Sequence, residues 1–342
     1  MKYAYKTEIK PTNEQALKIK RSIGICRWLY NEYLATNKKL YMMYQRGLLD
    51  DSQSYFMTAI DFDKYINRKL KLQPEYNWLS KCGSKARKKI LLNGEVAFRS
   101  FFKGKANFPK FKAKFDEDVT LYFPKNNPKD WTIERHRIKI PTLKYVRLKE
   151  FGYLPVGAKV INGIVSMKAG RFYISITVEA EAQYQEKNID NIGLKLNFRD
   201  FSTIDKQLID MNNVNKILKS LEQVKQRLKR KNKMNTNEYI SKNAQKELIK
   251  IKKLEASLEN IKFDYINKCI AQIINFQPKI ITIKYGYFKS NMTDNHQNEL
   301  NKERYYRFIT RLTTKADKLG IQIKYRENFK EFNNPILELE LI

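Results

Sequence analysis

The sequence predicts a multidomain α+β chain, two or three domains in 342 residues, and three observations carry that expectation. Apolar residues recur with helical spacing up to Phe102, short alternating runs broken by Pro, Asn and Gly follow from Phe108, and strands alternate with long helices from Ile192 onward. At 42% hydrophobic and 13% aromatic, the chain can bury a sizeable core.

Lys2 to Ile9 alternates as a strand, and Pro11-Thr12-Asn13-Glu14-Gln15 then opens a helix. Thr12 and Gln15 stand at capping-box spacing, each able to satisfy an amide at the helix start. Leu17, Ile23, Trp28, Leu29 and Tyr33 are available for one apolar stripe, and turns near Gly47 and Pro74 interrupt a helical bundle that runs to Phe102. The clearest β piece is a hairpin, in which 164–167 and 172–178 flank the turn Lys168-Ala169-Gly170-Arg171. Ile174, Ile176 and Val178 would face its core, and Tyr173, Ser175 and Thr177 would face out. Farther on, Ile192, Leu194, Leu196 and Phe198 share one face of a strand, with 201–204 as its returning neighbour. Basic helices follow at about 213–233 and 238–275, then a strand at Lys279 to Tyr285, a helix with Phe308, Leu312, Ala316 and Leu319 stopped by Gly320, and a strand from Gln322 to Tyr325. Such alternation fits an α/β layer with a long helical insertion.

Lys plus Arg number 67 against 36 Asp plus Glu, a formal net charge of +31. A surface so charged repels itself until a polyanion neutralises it, so composition alone points to nucleic acid. No run approaches the ~18 apolar residues of a membrane span, and MKYAYKTEIKPT lacks the apolar core of a signal peptide, so a cytoplasmic protein with no membrane partner is expected. Cys26, Cys82 and Cys269 form no C-x-x-C pair and read as three buried thiols. His136 and His296 are isolated.

Taken in order, YKTEIKPTNEQ, GICRWLYNEYL and VAFRSFFKGKANFPKFK (96–112) resemble the entry strand, the first helices and the F-P-x-F-K passage of the transposon-encoded TnpB (OrfB) family, relatives of the type V CRISPR effectors. The resemblance implies a wedge (WED) first strand at 1–10, a helical recognition (REC) module at 11–112 inserted in that wedge domain, and the wedge β-barrel at 113–188. An RNase H-like (RuvC) α/β domain follows at 189–342, with a helical insertion at about 211–275. It also implies a guide RNA and double-stranded target DNA as partners, no small-molecule substrate, and a bacterial, nucleoid-associated location.

Active members of that family cut with three acidic residues and divalent metal. The first motif resembles G-I-D-L-G-x-K-D-F-A-T and reads Gly193-Leu194-Lys195-Leu196-Asn197-Phe198-Arg199-Asp200-Phe201-Ser202-Thr203 here, so Lys195 stands where the metal-binding aspartate belongs. The second resembles I-x-I-E-x-L and reads Ile281-Thr282-Ile283-Lys284-Tyr285-Gly286, with Lys284 in the glutamate's place. The third acid and a zinc ribbon with two C-x-x-C pairs are expected to be missing, and the chain reaches Ile342 with neither pair. No catalytic residue, no metal site, no catalytic magnesium and no structural zinc are therefore expected. Lys195 and Lys284 are either tolerated replacements or groups that hold a DNA strand by its phosphates. Asp190, Asp200 and Asp205 nearby read as surface charge rather than ligands.

Between Lys85 and Lys112 nine bases stand against one acid, Glu95, interleaved with phenylalanines whose spacing favours packing over base stacking. By resemblance, the positions that read the DNA flanking motif fall on Ser84 and Lys88, with Lys85, Arg87 and Lys89 beside them. Backbone contacts to RNA or DNA are expected from Lys103, Lys105, Lys110, Lys112, Lys219, Lys225, Arg227, Lys229, Arg230 and Lys231. For the basic run of 216–233 a simple solvated helix is the competing reading. The whole pattern resembles the TnpB-like nuclease-dead repressors (TldR), which implies guided DNA binding without cutting and repression of transcription. The alternative is an RNA-binding protein that stabilises or processes transposon RNA.

Overall fold

The protein is described by a computed structural model over residues 2–50, 54–113, 119–124, 127, 130–179, 186–198, 208–233, 241–284, 296–327, 329 and 332–341. It divides into two compact units, residues 2–180 and 181–342. No helix among the described residues is long and apolar enough to cross a membrane.

In the first unit, β1 (Lys2–Lys10) leads into α1 (Asn13–Gln45), α2 (Ala59–Arg68), two short 3-10 turns (Leu70–Leu72 and Pro74–Lys81) and α3 (Ser84–Phe102). The chain then returns to strands: β2 (Leu121–Pro124), β3 (Thr132–Ile133), β4 (Arg137–Ile140), β5 (Lys144–Leu148), β6 (Lys159–Lys168) and β7 (Arg171–Glu179). These form one antiparallel sheet in the order β2-β6-β7-β1-β5-β4-β3, so the first strand sits between two of the last, and the helices occupy the loop between β1 and β2. The end strands β2 and β3 share no pairing among the described residues. Yet Trp131, next to β3, lies on Gly163 of β6 so closely that a methyl there would overlap the indole, which shows the sheet curling toward closure. The β6–β7 turn is the two-residue loop Ala169-Gly170, both at positive φ (52° and 74°), the geometry that matches strand twist in hairpins. Ile174, Ile176 and Val178 are buried, as their alternation predicts.

Within α1 the buried stripe runs Ile19, Ile23, Cys26, Tyr30, Tyr33, Asn37, steps of four and three that keep one face inward. Leu17, expected on that stripe, is 47% exposed because it lies off this line. Tyr33 packs over Gly94 of α3, where a Cβ would come within 2.7 Å of its ring, and its hydroxyl donates to the Met57 carbonyl (2.9 Å). Asn37, fully buried, accepts from the Met57 amide (2.8 Å) and donates to Tyr33 O (3.1 Å). The segment entering α2 is thereby held at both its backbone groups.

The second unit contains β8 (Ile189–Phe198), α4 (Met211–Lys233), α5 (Lys242–Asn275), β9 (Pro278–Lys284), α6 (His296–Lys318), β10 (Gln322–Arg326) and β11 (Ile336–Leu341). Among the described residues its strands form a parallel sheet in the order β10-β9-β8-β11. Ile192, Leu194, Leu196, Ile281, Ile283, Leu339 and Leu341 form the core face, against Ile270, Ile273 and Ile274 of α5 and Phe308, Leu312 and Ala316 of α6. The expected returning neighbour of β8 at 201–204 lies outside the described residues. The strands seen beside β8 are β9 and β11, both parallel to it. Asp200 and Asp205 also lie outside the described residues, whereas Asp190 forms an exposed ion pair with Lys279 (2.6 Å), the surface role expected of it.

The capping box at the start of α1 is complete, with Gln15 N donating to Thr12 Oγ1 (3.3 Å) and Thr12 N donating to Gln15 Oε1 (3.0 Å). Gln15 does more than cap, because its Nε2 donates to the carbonyls of Leu143 in the β4–β5 turn and Tyr145 at the start of β5 (2.8 and 2.9 Å), and Lys18 Nζ donates to Thr142 O (2.6 Å) beside them. Glutamate would serve the cap equally well but would face two carbonyl oxygens with a carboxylate. Gln15→Glu is expected to lower stability by about 1–3 kcal/mol in urea unfolding, whereas an unchanged midpoint would mean that these contacts contribute nothing.

Candidate nucleic-acid interface

Parallel strands in register place alternate residues of neighbouring strands side by side. Gly193 pairs with Thr282 and Leu194 with Ile283, so Lys195 and Lys284 come next to each other at the top of β8 and β9. Because Leu194 and Leu196 face the helices, Lys195 projects from the opposite face, shared with Asn191, Thr282, Lys324, Arg326 and Glu338. Thr282 Oγ1 donates to Asn191 Oδ1 (2.9 Å) across this face. Lys195 Nζ donates to Glu338 of β11 at 2.7 Å, with side-chain exposures of 45% and 58%. The lysine's hydrogen bond and charge hold the Glu338 carboxyl below its ordinary range. Lys284 is exposed. Among the described residues no group of three His, Cys, Asp or Glu side chains gathers on this or any other surface.

Residues 332–335, just before β11, lie on the same face. Phe332 rests on Gly193, where an added Cβ would meet its ring at 2.8 Å, and the Gly193 amide donates to Pro335 O (2.8 Å). Arg326 lies over the Phe332 ring, 6.0 Å from its centroid. The resulting pocket, about 510 Å³, is lined by Asn191, Thr282, Lys324, Arg326, Phe332 and Asn334 among others. Its lining is donor-rich, with two cations and side-chain amides at the rim, which suits an anion. Sequence reading missed β11 and this pocket, although the alternation in Ile336-Leu337-Glu338-Leu339-Glu340-Leu341 is a legible strand signal.

A second basic surface in this unit is the helical pair α4–α5. Leu221, Val224 and Ile251 form the seam with Leu228, Leu254 and Leu258 beside them, which turns the bases outward. Lys219, Lys225, Arg227, Lys229 and Arg230 are all exposed, and Lys225 meets Glu255 at 3.2 Å. The side chain of Lys231 lies outside the described residues.

The third surface belongs to the first unit, at the start of α3. Ser84, Lys85, Lys88 and Lys89 are exposed over the first two turns, where the helix dipole adds to their positive field. Lys88 approaches Asp63 (3.6 Å), and Lys89 lies over the Tyr122 ring (6.0 Å). Arg87 departs from expectation. It is 4% exposed on the inward face of α3, one helical turn before Leu91, and therefore offers no guanidinium at the surface. Lys103, Lys105 and Lys110 are exposed, but Lys112 is half-buried with its ammonium over the Tyr30 ring (5.2 Å) and its backbone clasped by Asn31. Phe98 is fully buried and packs edge-on to Phe108, as the packing reading requires, whereas Phe111 is 52% exposed.

Residues 1–46 match the helix-turn-helix domain model of OrfB from IS605-type elements. In this chain that stretch is one strand and a single 33-residue helix. The chain is 26% identical over 268 residues to the putative RNA-guided DNA endonuclease InsQ of Escherichia coli K12, covering 78% of this chain and 61% of that protein. It is 24% identical over 181 residues to a putative RNA-guided DNA endonuclease of Streptomyces pristinaespiralis, covering 52% of this chain and 42% of the relative. The alignments thus span less than two thirds of the length of these relatives. Among solved structures, the Cas12f1–sgRNA–target DNA complex aligns with 92% of this chain and 73% of that one at a TM-score of 0.41 and 12% identity. A CRISPR-Cas12f ternary complex aligns with 94% and 75% at a TM-score of 0.30 and 11% identity. By its N-terminal domain match and its similarity to InsQ over 78% of its length, the chain resembles the OrfB-type proteins of IS605 elements.

Proposed function

We propose that the chain is an RNA-guided, nuclease-inactive DNA-binding protein that occupies target DNA beside a short flanking motif and represses transcription there. The observation that carries this reading is the adjacent pair Lys195 and Lys284 at the top of β8 and β9, with the Glu338 carboxylate beside them engaged by Lys195. The +31 charge and the RNA-guided endonuclease relatives support the nucleic-acid partners, a guide RNA and double-stranded DNA.

Two-metal hydrolysis of a phosphodiester needs carboxylate oxygens to hold the cations. An ammonium offers three donors and no acceptor. A dication about 4 Å from one meets repulsion on the order of several kcal/mol at an effective dielectric of ~20, reduced by solvent at exposed positions. The donor set described on this face does not fit a divalent metal. The same ammonium groups fit a phosphate. On this reading, Lys284, Lys324 and Arg326 hold an opened strand, and the exposed bases of the α4–α5 pair follow the RNA or heteroduplex backbone. Ser84, Lys85, Lys88 and Lys89 meet the flanking duplex, where buried Arg87 supports α3 from within.

The reading is tested on protein purified with its bound RNA. That RNA is expected to be a discrete species, DNA matching its variable end is expected to be bound, and no cleavage is expected with magnesium or manganese. Metal-dependent cutting would overturn nuclease inactivity. RNA binding with no occupancy of matching DNA would instead favour the RNA-maintenance role.

The strand-holding assignment has its own measurement. Lys284→Glu is expected to weaken target binding and to reduce the slope of log affinity against log salt by about one. Lys195→Gln should change both less, because Glu338 already offsets its charge. A slope unaltered by Lys284→Glu would leave that lysine a bystander.

A further inference from the structure

Cys26 and Cys82 are 56 residues apart in sequence, and the fold brings their sulfurs to 3.7 Å. Cys26 comes from the buried stripe of α1, and Cys82 from the turn that ends one 3-10 segment and leads through Gly83 into α3. Both are buried, at 0% and 2% exposure, but Gly83, Ser84 and Lys85 just beyond Cys82 are exposed, so the pair lies directly beneath the surface. Arg87, one turn into α3, is buried with its Nε and Nη1 unpartnered among the described residues. Its charge acts on both sulfurs. A buried cation without a counterion favours an anion next to it.

We propose that Cys26 and Cys82 form a thiol–disulfide pair, oxidised by hydroperoxides, that fastens the start of α3 to α1. The chemistry assigns a role to each sulfur. The Cys26 thiol is raised above its usual range by its hydrogen bond with Cys82 and by burial. Cys82 is lowered by its hydrogen bond with Cys26, against burial, and by Arg87 and Ser22, so it is the sulfur that gives up its proton more readily. Cys82 S⁻ attacks the O–O bond of a hydroperoxide, which gives a sulfenic acid and, after protonation, an alcohol or water. Cys26 then attacks the sulfenic sulfur, the S–O bond breaks, and water leaves with the Cys26 proton. The balance is two thiols and one hydroperoxide going to one disulfide, one alcohol and one water, with the two electrons from sulfur taken by the peroxide. Bond formation closes the gap from 3.7 Å to about 2.0 Å, within reach of side-chain rotation and a small shift of the Cys82 turn. Cysteine pairs of this kind in reducing compartments are transient sensors rather than permanent braces.

Cys269, buried in the other unit and held above its usual range by burial, supplies the internal control. The folded, full-length protein is treated with hydrogen peroxide, denatured, alkylated and weighed. The expected result is a loss of about 2 Da, two hydrogens, with one alkylated cysteine instead of three, reversed by dithiothreitol. Tryptic mapping should join Ser22–Arg27 to Cys82–Lys85. Oxidation should raise the melting temperature by several degrees in the wild type and in Cys269→Ser, but not in Cys82→Ser, and should slow amide exchange over the first turn of α3. Three alkylatable thiols after a treatment that fully oxidises a dithiol peptide would overturn the proposal. So would a bond involving Cys269, or a Cys82 sulfinic acid with Cys26 still free. If Cys82→Ser does not fold, the wild-type peptide map decides alone.

Discussion

Register in the parallel sheet is the constraint on which the second unit depends. Side chains alternate with a period of two, so a one-residue slip of β8 would carry Leu194 and Leu196 to the polar face and Lys195 into the core. Ile192, Leu194, Ile281 and Ile283 are each fully buried, and their burial opposes any such slip. With the register fixed, Lys195 has no choice but to stand beside Lys284 on one side and Glu338 on the other. The polar face is thus a by-product of the apolar one. Its chemistry can change by point substitution with little effect on the core, which is how a sheet of this kind can hold its fold while its surface chemistry diverges.

The first unit solves a different problem, that of joining residues far apart in the chain. β1 pairs along most of its length with β7, some 170 residues later, and loops of that size carry a substantial closure entropy. Three devices repay it. The β1–β7 ladder is long, Glu8 receives Lys149 at 2.9 Å with Arg171 at 3.8 Å, and Gln15 ties α1 to the β4–β5 turn. The last of these places a helix start on a sheet edge with a single side chain that serves both, so the angle at which the helical segment leaves the sheet is fixed by its first turn.

Local signals in the sequence were the legible ones. The Thr12–Gln15 capping box, the Lys168–Arg171 turn and the core face of β8 depend on neighbours within a few positions, and the structure agrees with each. What stayed hidden depends on long-range geometry. Nothing at residue 15 announces carbonyls at 143 and 145, and nothing at Cys26 announces Cys82. Arg87 was misread for a related reason. A base among bases reads as surface, yet on α3 it falls one residue after Ala86 and three before Ile90, on the buried side, where helical phase outweighs residue type. β11 is the one miss that local reasoning could have avoided, since three leucines alternating with two glutamates are a strand signal in their own right.

Charge sets the final boundary on what the surface can be for. Exposed ion pairs such as Lys225–Glu255 and Lys195–Glu338 are each worth about 0–1 kcal/mol, enough to orient a side chain and too little to organise a surface. Even if every one of the 36 carboxylates paired with its own base, 31 cations would remain. Those on the start of α3, the outer side of α4 and the rim of the β8–β11 face sit on elements whose apolar sides are fully committed to cores. They are therefore held outward by packing on the opposite side of the same element, and they stay concentrated instead of spreading to lower their mutual repulsion. A fold that accepts this standing repulsion is stabilised when a polyanion lies along these surfaces, and the stabilisation grows with the number of phosphates each surface can meet at once.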